Sequence, residues 1–386
     1  MMVPSPSPLR PNASMAVMEA PGSYVRLWKR RSFLSLAVGG SLYGAYGRGA
    51  RLAPQRASFL DRATEFPVER LTNPAYSSFL PSYYGRFISK KGDWFLFWSD
   101  RNRTPQAFRM HLKTGEWFQL TDATSLDGSS LWLFPDEHRF CYFDGAMLRM
   151  TTLSNFRSRV LYHVPDRWQR GQGFAMSSDG LYGTFPEVQG NKWRLRLIKF
   201  SSGDVDTVAE AGEPLCEPMP RPNHRSILYR QGESFRMVSY DGAGIAIIAT
   251  APGRPGPALW SPDGRTVIYL HFPKADRGLN AIRELSPEAG TDTLVANTSQ
   301  FVQFAANGDD SVFVGVSGSK ASPYVLLLLR VTGRELTLCE HGASRASMVT
   351  AVFSPDSQQV YFHSDQQGKP AIYRVRVDKL VARTDT

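Results

Sequence analysis

The stretch Trp260-Ser261-Pro262-Asp263-Gly264-Arg265-Thr266-Val267-Ile268-Tyr269-Leu270 contains a tight turn followed by a run that is apolar or β-branched on both faces. Proline sets φ at the second turn position. Asp-Gly adds a side chain that bonds its own backbone and a residue free to adopt positive φ. A strand apolar on both faces is packed between neighbours rather than laid against water. The same signal recurs on either side, as Ser89-Lys90-Lys91-Gly92, Phe134-Pro135-Asp136-Glu137, Ser177-Ser178-Asp179-Gly180, Arg221-Pro222-Asn223-His224, Ala305-Ala306-Asn307-Gly308 and Ser354-Pro355-Asp356-Ser357. The third positions are 91, 136, 179, 223, 263, 307 and 356, spaced by 45, 43, 44, 40, 44 and 49 residues. Each unit has room for four short strands, and no helical periodicity of useful length interrupts them. Units of this period and content predict an all-β, seven-bladed β-propeller with four strands per blade.

Strand counting gives the closure. The last unit offers Ala351-Val352-Phe353, Val360-Tyr361-Phe362 and Ala371-Ile372-Tyr373-Arg374-Val375, and then lacks a fourth strand. Pro67-Val68-Glu69-Arg70-Leu71-Thr72 reads like a fourth strand without a blade, ending in Leu-Thr as Trp117-Phe118-Gln119-Leu120-Thr121 does. The N-terminal strand is expected to complete the last blade, which removes two exposed sheet edges. The propeller is expected over residues 66–380.

The chain has 386 residues, 42% of them hydrophobic and 21% charged, a balance that excludes a disordered chain. Cys141, Cys216 and Cys339 are too few and too scattered for a disulfide framework. The net charge of +10 would suit a polyanion partner. Its distribution argues otherwise, because residues 1–62 hold nine basic residues against Glu19 and Asp61, leaving +3 for the rest. Nucleic acid is therefore not an expected partner. Within the basic segment, Lys29-Arg30-Arg31-Ser32-Phe33-Leu34-Ser35 precedes a Gly-diluted apolar stretch to Gly47. That order reads as a twin-arginine export signal over residues 1–47, with residues 48–65 as a linker and a periplasmic or secreted destination. No transmembrane segment is expected in the mature chain.

Several segments carry a family resemblance. They are Val68-Glu69-Arg70-Leu71-Thr72, His111-Leu112-Lys113-Thr114-Gly115-Glu116 with Gln119-Leu120-Thr121, Val164-Pro165-Asp166-Arg167-Trp168, and Phe353-Ser354-Pro355-Asp356 with Gly368-Lys369-Pro370-Ala371-Ile372-Tyr373. In this order, over about residues 66–377, they resemble the oligogalacturonate lyases. The resemblance implies a seven-bladed propeller that cleaves short pectin fragments by β-elimination. A neutral histidine is the base, and manganese and an arginine stabilise the charge developing on the uronate carboxylate.

This sequence departs from the family at the decisive positions. The resemblance puts Pro257 at the base and Gln303, Met348 and Thr350 at metal histidines, with Arg345 near a metal glutamine. Arg236, in Phe235-Arg236-Met237, matches the family arginine and is the one candidate catalytic residue. Gln303 and Arg345 are candidates to bind a carboxylate without metal. No metal site and no cofactor are expected, manganese being the family's metal with its ligands unmatched here. The seven histidines, at 111, 138, 163, 224, 271, 341 and 363, include no HxH or HxxxH pair. His271 and His363 read as strand-end residues. Tyr83-Tyr84 and Trp168 are candidate sugar-stacking residues. The reading is an exported propeller that recognises an acidic oligosaccharide with altered or lost catalysis. The alternative is a TolB-type non-catalytic propeller that mediates protein or sugar binding in the periplasm, with an envelope protein as its protein partner.

Overall fold

A computed structural model of the chain describes residues 47–274 and 278–384. The export reading of residues 1–47 therefore lies almost wholly outside the described residues. Among the described residues no helix is long and apolar enough to cross a membrane.

Seven antiparallel sheets follow one another along the chain, each read from its inner strand outward. Blade 5 shows the plan, with Gly253–Trp260 innermost, then Val267–Pro273, Ala281–Ser286 and Thr291–Asn297. The quoted stretch is thus the end of an inner strand, its turn and the second strand. The turn closes by Gly264 N–H donating to Ser261 O at 2.9 Å, with Gly264 at φ +72°. Ser261 accepts the Thr266 N–H and donates to Asp263, so the turn satisfies its own polar groups. In blade 6 the turn lies two residues later than the sequence reading placed it. Asn307 occupies the first position, Asp310 N–H donates to Asn307 O, and Asp310 takes φ +57°. The Asn307 side chain accepts the Val312 N–H, the part Ser261 plays in blade 5. An amide replaces the hydroxyl there, which is why the Ser-Pro-Asp-Gly pattern did not locate it.

The middle strands carry the core, as their two-sided apolar character requires. Aromatic rings meet between successive blades: Phe95 with Tyr361 at 5.6 Å, Phe143 with Phe185 at 5.2 Å, Tyr182 with Tyr240 at 5.1 Å and Phe235 with Tyr269 at 5.6 Å. A fully buried ring of this kind contributes about 1.5–3 kcal/mol.

Pro67–Arg70 pairs with Ala371–Arg376 in the register Val68 with Val375, so the N-terminal strand closes blade 7 as expected. Glu69 receives the Arg374 guanidinium across this seam, and Thr72 Oγ1 accepts the Ile372 N–H at 2.9 Å. Residues 48–65 are not the linker that the sequence suggested. Arg51–Leu52 adds a fifth strand outside blade 1, against Trp117 and Phe118, and Ala57–Leu60 adds one outside Pro67–Arg70. Buried Asp61 then accepts the N–H groups of Ala63, Thr64 and Glu340, the last in the outer strand of blade 6. This segment straps three blades together. Strands of two and four residues have no legible periodicity, and their order comes from the edges they cover.

Candidate binding site at the propeller axis

The inner strands of blades 2, 4, 5 and 6 shift register midway, at Asp127/Trp132, Cys216/Met219, Pro255/Ala258 and Phe301/Gln303. In blade 3 the inner strand is broken between Arg170 and Ala175. Gly128, Gly171, Pro218 and Gly256-Pro257 lie at or beside these irregularities, residues that interrupt ladders and let backbones approach closely. Gly128 shows the closeness, since a Cβ there would fall 2.1 Å from the Trp98 ring.

Blade 1 deviates most. Between Phe79 and Ile88 its inner strand gives way to the turn Ser82-Tyr83-Tyr84-Gly85, closed by Gly85 N–H to Ser82 O at 2.8 Å. The two tyrosines meet edge to face at 5.0 Å, and Tyr84 lies against Trp132 at 6.0 Å. Tyr83 reaches across to blade 5, where its hydroxyl donates to Ala258 O at 3.2 Å and accepts Ala258 N–H at 3.0 Å. Burial, then the Glu217 charge, push both phenols above their usual range. These rings were candidate sugar platforms. The structure makes them a crossbar over the axis.

Around the crossbar, on the face where inner strands begin, two ion pairs are built. Arg170 binds Asp127 and lies over the Phe143 ring at 4.7 Å. Arg230 binds Glu217 and donates to the carbonyls of Pro255 at 3.1 Å and Gly256 at 2.9 Å. Arg230, at the end of a second strand, is thus the arginine beside Pro257, and the sequence reading missed it. Arg236 lies instead in the third strand of blade 4, opposite Tyr229 and Ile247, and the structure does not bring it to the axis. Trp168 is covered by the Arg194 guanidinium at 3.7 Å, which in turn binds buried Glu187.

Gln303 stands on the inner strand of blade 6, 8% exposed, with its Nε2 in no hydrogen bond to a described residue. The short turn Ala346–Met348, whose N-cap is Arg345, packs against this strand. Arg345 is exposed and forms no ion pair with a described residue. The fold brings these two candidates into one neighbourhood, although no hydrogen bond joins their side chains.

Three histidines of this face are committed to backbone. His363 Nε2 donates to Met348 O at 2.6 Å, and its Nδ1 accepts Leu80 N–H at 3.4 Å. Burial lowers its pKa to about 4, so the ring is neutral near pH 7. His341 bonds Ser317 O at 3.0 Å and Ala343 N–H at 3.0 Å, and burial lowers its pKa also. His271 bonds Pro252 O at 3.1 Å. At the positions the resemblance assigns to manganese, the side chains are an amide, a guanidinium, a thioether and a hydroxyl, at Gln303, Arg345, Met348 and Thr350. Manganese takes carboxylate, imidazole and water ligands, and this set does not fit it. Among the described residues no group of three His, Cys, Asp or Glu side chains is placed to hold a metal.

The structure therefore defines a seven-bladed propeller with an arginine-rimmed axial site. No protein-family model matches the sequence. Its relatives include the oligogalacturonide lyase of Pectobacterium atrosepticum, 23% identical over 376 residues that cover 84% of this chain and 96% of the relative. The oligogalacturonate lyase of Dickeya dadantii is 22% identical over 386 residues, covering 86% and 99%. Among solved structures, an oligogalacturonate lyase in complex with manganese superposes with a TM-score of 0.81, at 20% identity, over 86% of this chain and 98% of that one. The chain is an oligogalacturonate-lyase-like propeller, similar to these proteins in sequence and alike in fold.

Proposed function

We propose that this chain is a uronate-binding propeller of oligogalacturonate-lyase descent that does not carry out elimination by the metal-and-histidine route. The observation that carries the reading is Gln303, a buried amide with an unused donor, on a strand packed against the turn that Arg345 caps. An unsatisfied buried donor costs about 1–3 kcal/mol, and a carboxylate oxygen would satisfy it. Arg345 supplies a charge-assisted partner for the same ligand group. The axial arginines Arg170 and Arg230 are already neutralised, so they set the polarity of the mouth rather than hold the ligand.

Digalacturonate should raise the unfolding temperature in proportion to the logarithm of its concentration above saturation. Gln303→Leu and Arg345→Ala should each reduce that shift, and an unchanged shift in both variants would sink the reading. Incubation with oligogalacturonate, with and without manganese, should produce no conjugated unsaturated uronate by ultraviolet absorbance. We place the protein outside the cytoplasm on the strength of the Lys29-Arg30-Arg31 segment. Cell fractionation of a strain expressing the full chain tests this, and Arg30→Lys with Arg31→Lys should retain the protein in the cytoplasm.

A further inference from the structure

A second axial space opens on the other face of the ring, where the inner strands end in their turns. All seven inner strands contribute to this cavity of about 650 Å³. Tyr83 and Tyr84 form its inner end, so the crossbar separates it from the face that carries Gln303 and Arg345. Trp132, Trp260 and Phe353 are among its walls.

Its polar lining is sparse once committed groups are set aside. Ser177 donates to Asp179, Ser354 donates to Asp356, and Asn307 bonds Ser311 and the Val312 N–H. Three charged residues line the cavity: Lys90 in the blade 1 turn, which already has a partner, Arg86, and Asp310 at the last position of the blade 6 turn. The Arg86 guanidinium donates to the Ser178 carbonyl at 3.5 Å, feels the Glu137 charge, and forms no ion pair with a described carboxylate. Asp310 is 7% exposed, and its carboxyl bonds no described residue. The groups acting on Asp310 are Arg330, which favours ionisation, and Glu284, Asp309 and Asp263, which oppose it. Burial outweighs them and raises it to about 7, so near neutrality it carries a proton much of the time.

We propose that this cavity binds a hydroxyaryl carboxylic acid, the carboxylate on Arg86, the ring among Trp132, Trp260 and Phe353, and Asp310 bonding the oxygen at the far end. Aromatic walls with a few placed polar groups, in a space of this size, are the usual make-up of a small-molecule site. A sugar acid fits poorly, because each hydroxyl needs a partner, and Ser177, Ser354 and Asn307 are spent, leaving the Ser178 hydroxyl as the one uncommitted serine of the lining. An amine would suit Asp310 but meets Arg86 at the same site. This proposal is independent of the uronate reading, and it uses none of the same residues.

The test is calorimetric titration of the full chain with 4-hydroxycinnamate, 4-hydroxycinnamyl alcohol, tyramine and galacturonate. The acid should bind and quench tryptophan fluorescence, with the alcohol about tenfold weaker for want of the charge-assisted bond. Arg86→Gln should weaken the acid about tenfold and leave the alcohol unchanged. Arg86→Lys, which keeps the charge, should lose less and serves if the glutamine variant unfolds. Asp310 donates to the phenol oxygen while protonated and accepts the phenol O–H once ionised, so the acid should bind on both sides of pH 7, and Asp310→Ala should weaken it about tenfold. Digalacturonate stabilisation should be untouched in Arg86→Gln, so the two proposals fail separately. No heat with the acid, tighter binding of tyramine or galacturonate than of the acid, or an Arg86→Gln variant with wild-type affinity would each overturn the proposal.

Discussion

The hydroxyl of Tyr83 in blade 1 bonds both backbone groups of Ala258 in blade 5, donating to the carbonyl at 3.2 Å and accepting the N–H at 3.0 Å. One side chain thereby joins a blade 1 turn to a blade 5 strand 175 residues away and divides the axis into two spaces. Tyr83→Phe keeps the ring and leaves Ala258 N–H without its partner. It should destabilise the protein by about 1–3 kcal/mol, read as a lower midpoint in urea unfolding. A midpoint equal to wild type would mean that the hydroxyl does not hold the two blades.

His363 makes stability depend on pH. Its folded pKa, about 4, lies below the ordinary histidine value, so the unfolded chain takes up the proton more readily. The stabilisation is complete above about pH 6.5 and is lost as pH falls towards 4. His341, lowered in the same direction, adds to the loss. Unfolding midpoints should decline across this window in the wild type. A His363→Gln variant should start lower, having lost the fit between Met348 and Leu80, and decline less steeply. Parallel slopes for the two proteins would remove His363 from the account.

Asp61 anchors the strap by accepting N–H groups at both ends, from its own turn and from Glu340 of blade 6. Asp61→Ala orphans these donors and should cost about 2–3 kcal/mol, hydrogen bonds to a charged acceptor being the stronger kind. Limited proteolysis should then cut near residues 48–66 in the variant before any site in the blades. Cleavage that begins elsewhere would show that the strap is held by other contacts.

Gly128 lies at the blade 2 irregularity with the Trp98 ring where its Cβ would be, and Trp98 is stacked on Phe79 at 4.3 Å. Gly128→Ala must displace that stack. A loss of about 1–3 kcal/mol is expected. Gly190→Ala is the control, since no atom lies within 4 Å of the added group and only its φ of +57° opposes it. Equal losses in the two variants would mean that the tryptophan moves freely.

The ring was legible because Thr266 to Leu270 and its counterparts state both period and burial, and because Leu71-Thr72 repeats the end of another outer strand. The axis was not. Arg230 and Arg236 lie six residues apart in one hairpin, and spacing alone cannot tell which strand end meets the centre. Register shifts such as that between Pro255 and Ala258 change which side chains face inward. Trp168 has the composition of a platform, but its partner Arg194 belongs to another hairpin and covers it. The histidines read as strand-end residues. That His363 is buried between two backbone groups depends on Leu80, 283 residues away.

The seam in blade 7 also sets an order of events. Glu69 and Arg374 are 305 residues apart, so the contact that closes the ring has the largest loop-closure cost in the molecule's plan. A chain made from its N-terminus holds Ala57–Leu60 and Pro67–Arg70 as an orphan hairpin until Ala371–Arg376 has been synthesised. During that interval an unpaired strand edge is open to any other chain in the same state. Two half-made rings exchanging this hairpin would give a swapped dimer, and slow synthesis of blade 7 should increase its yield.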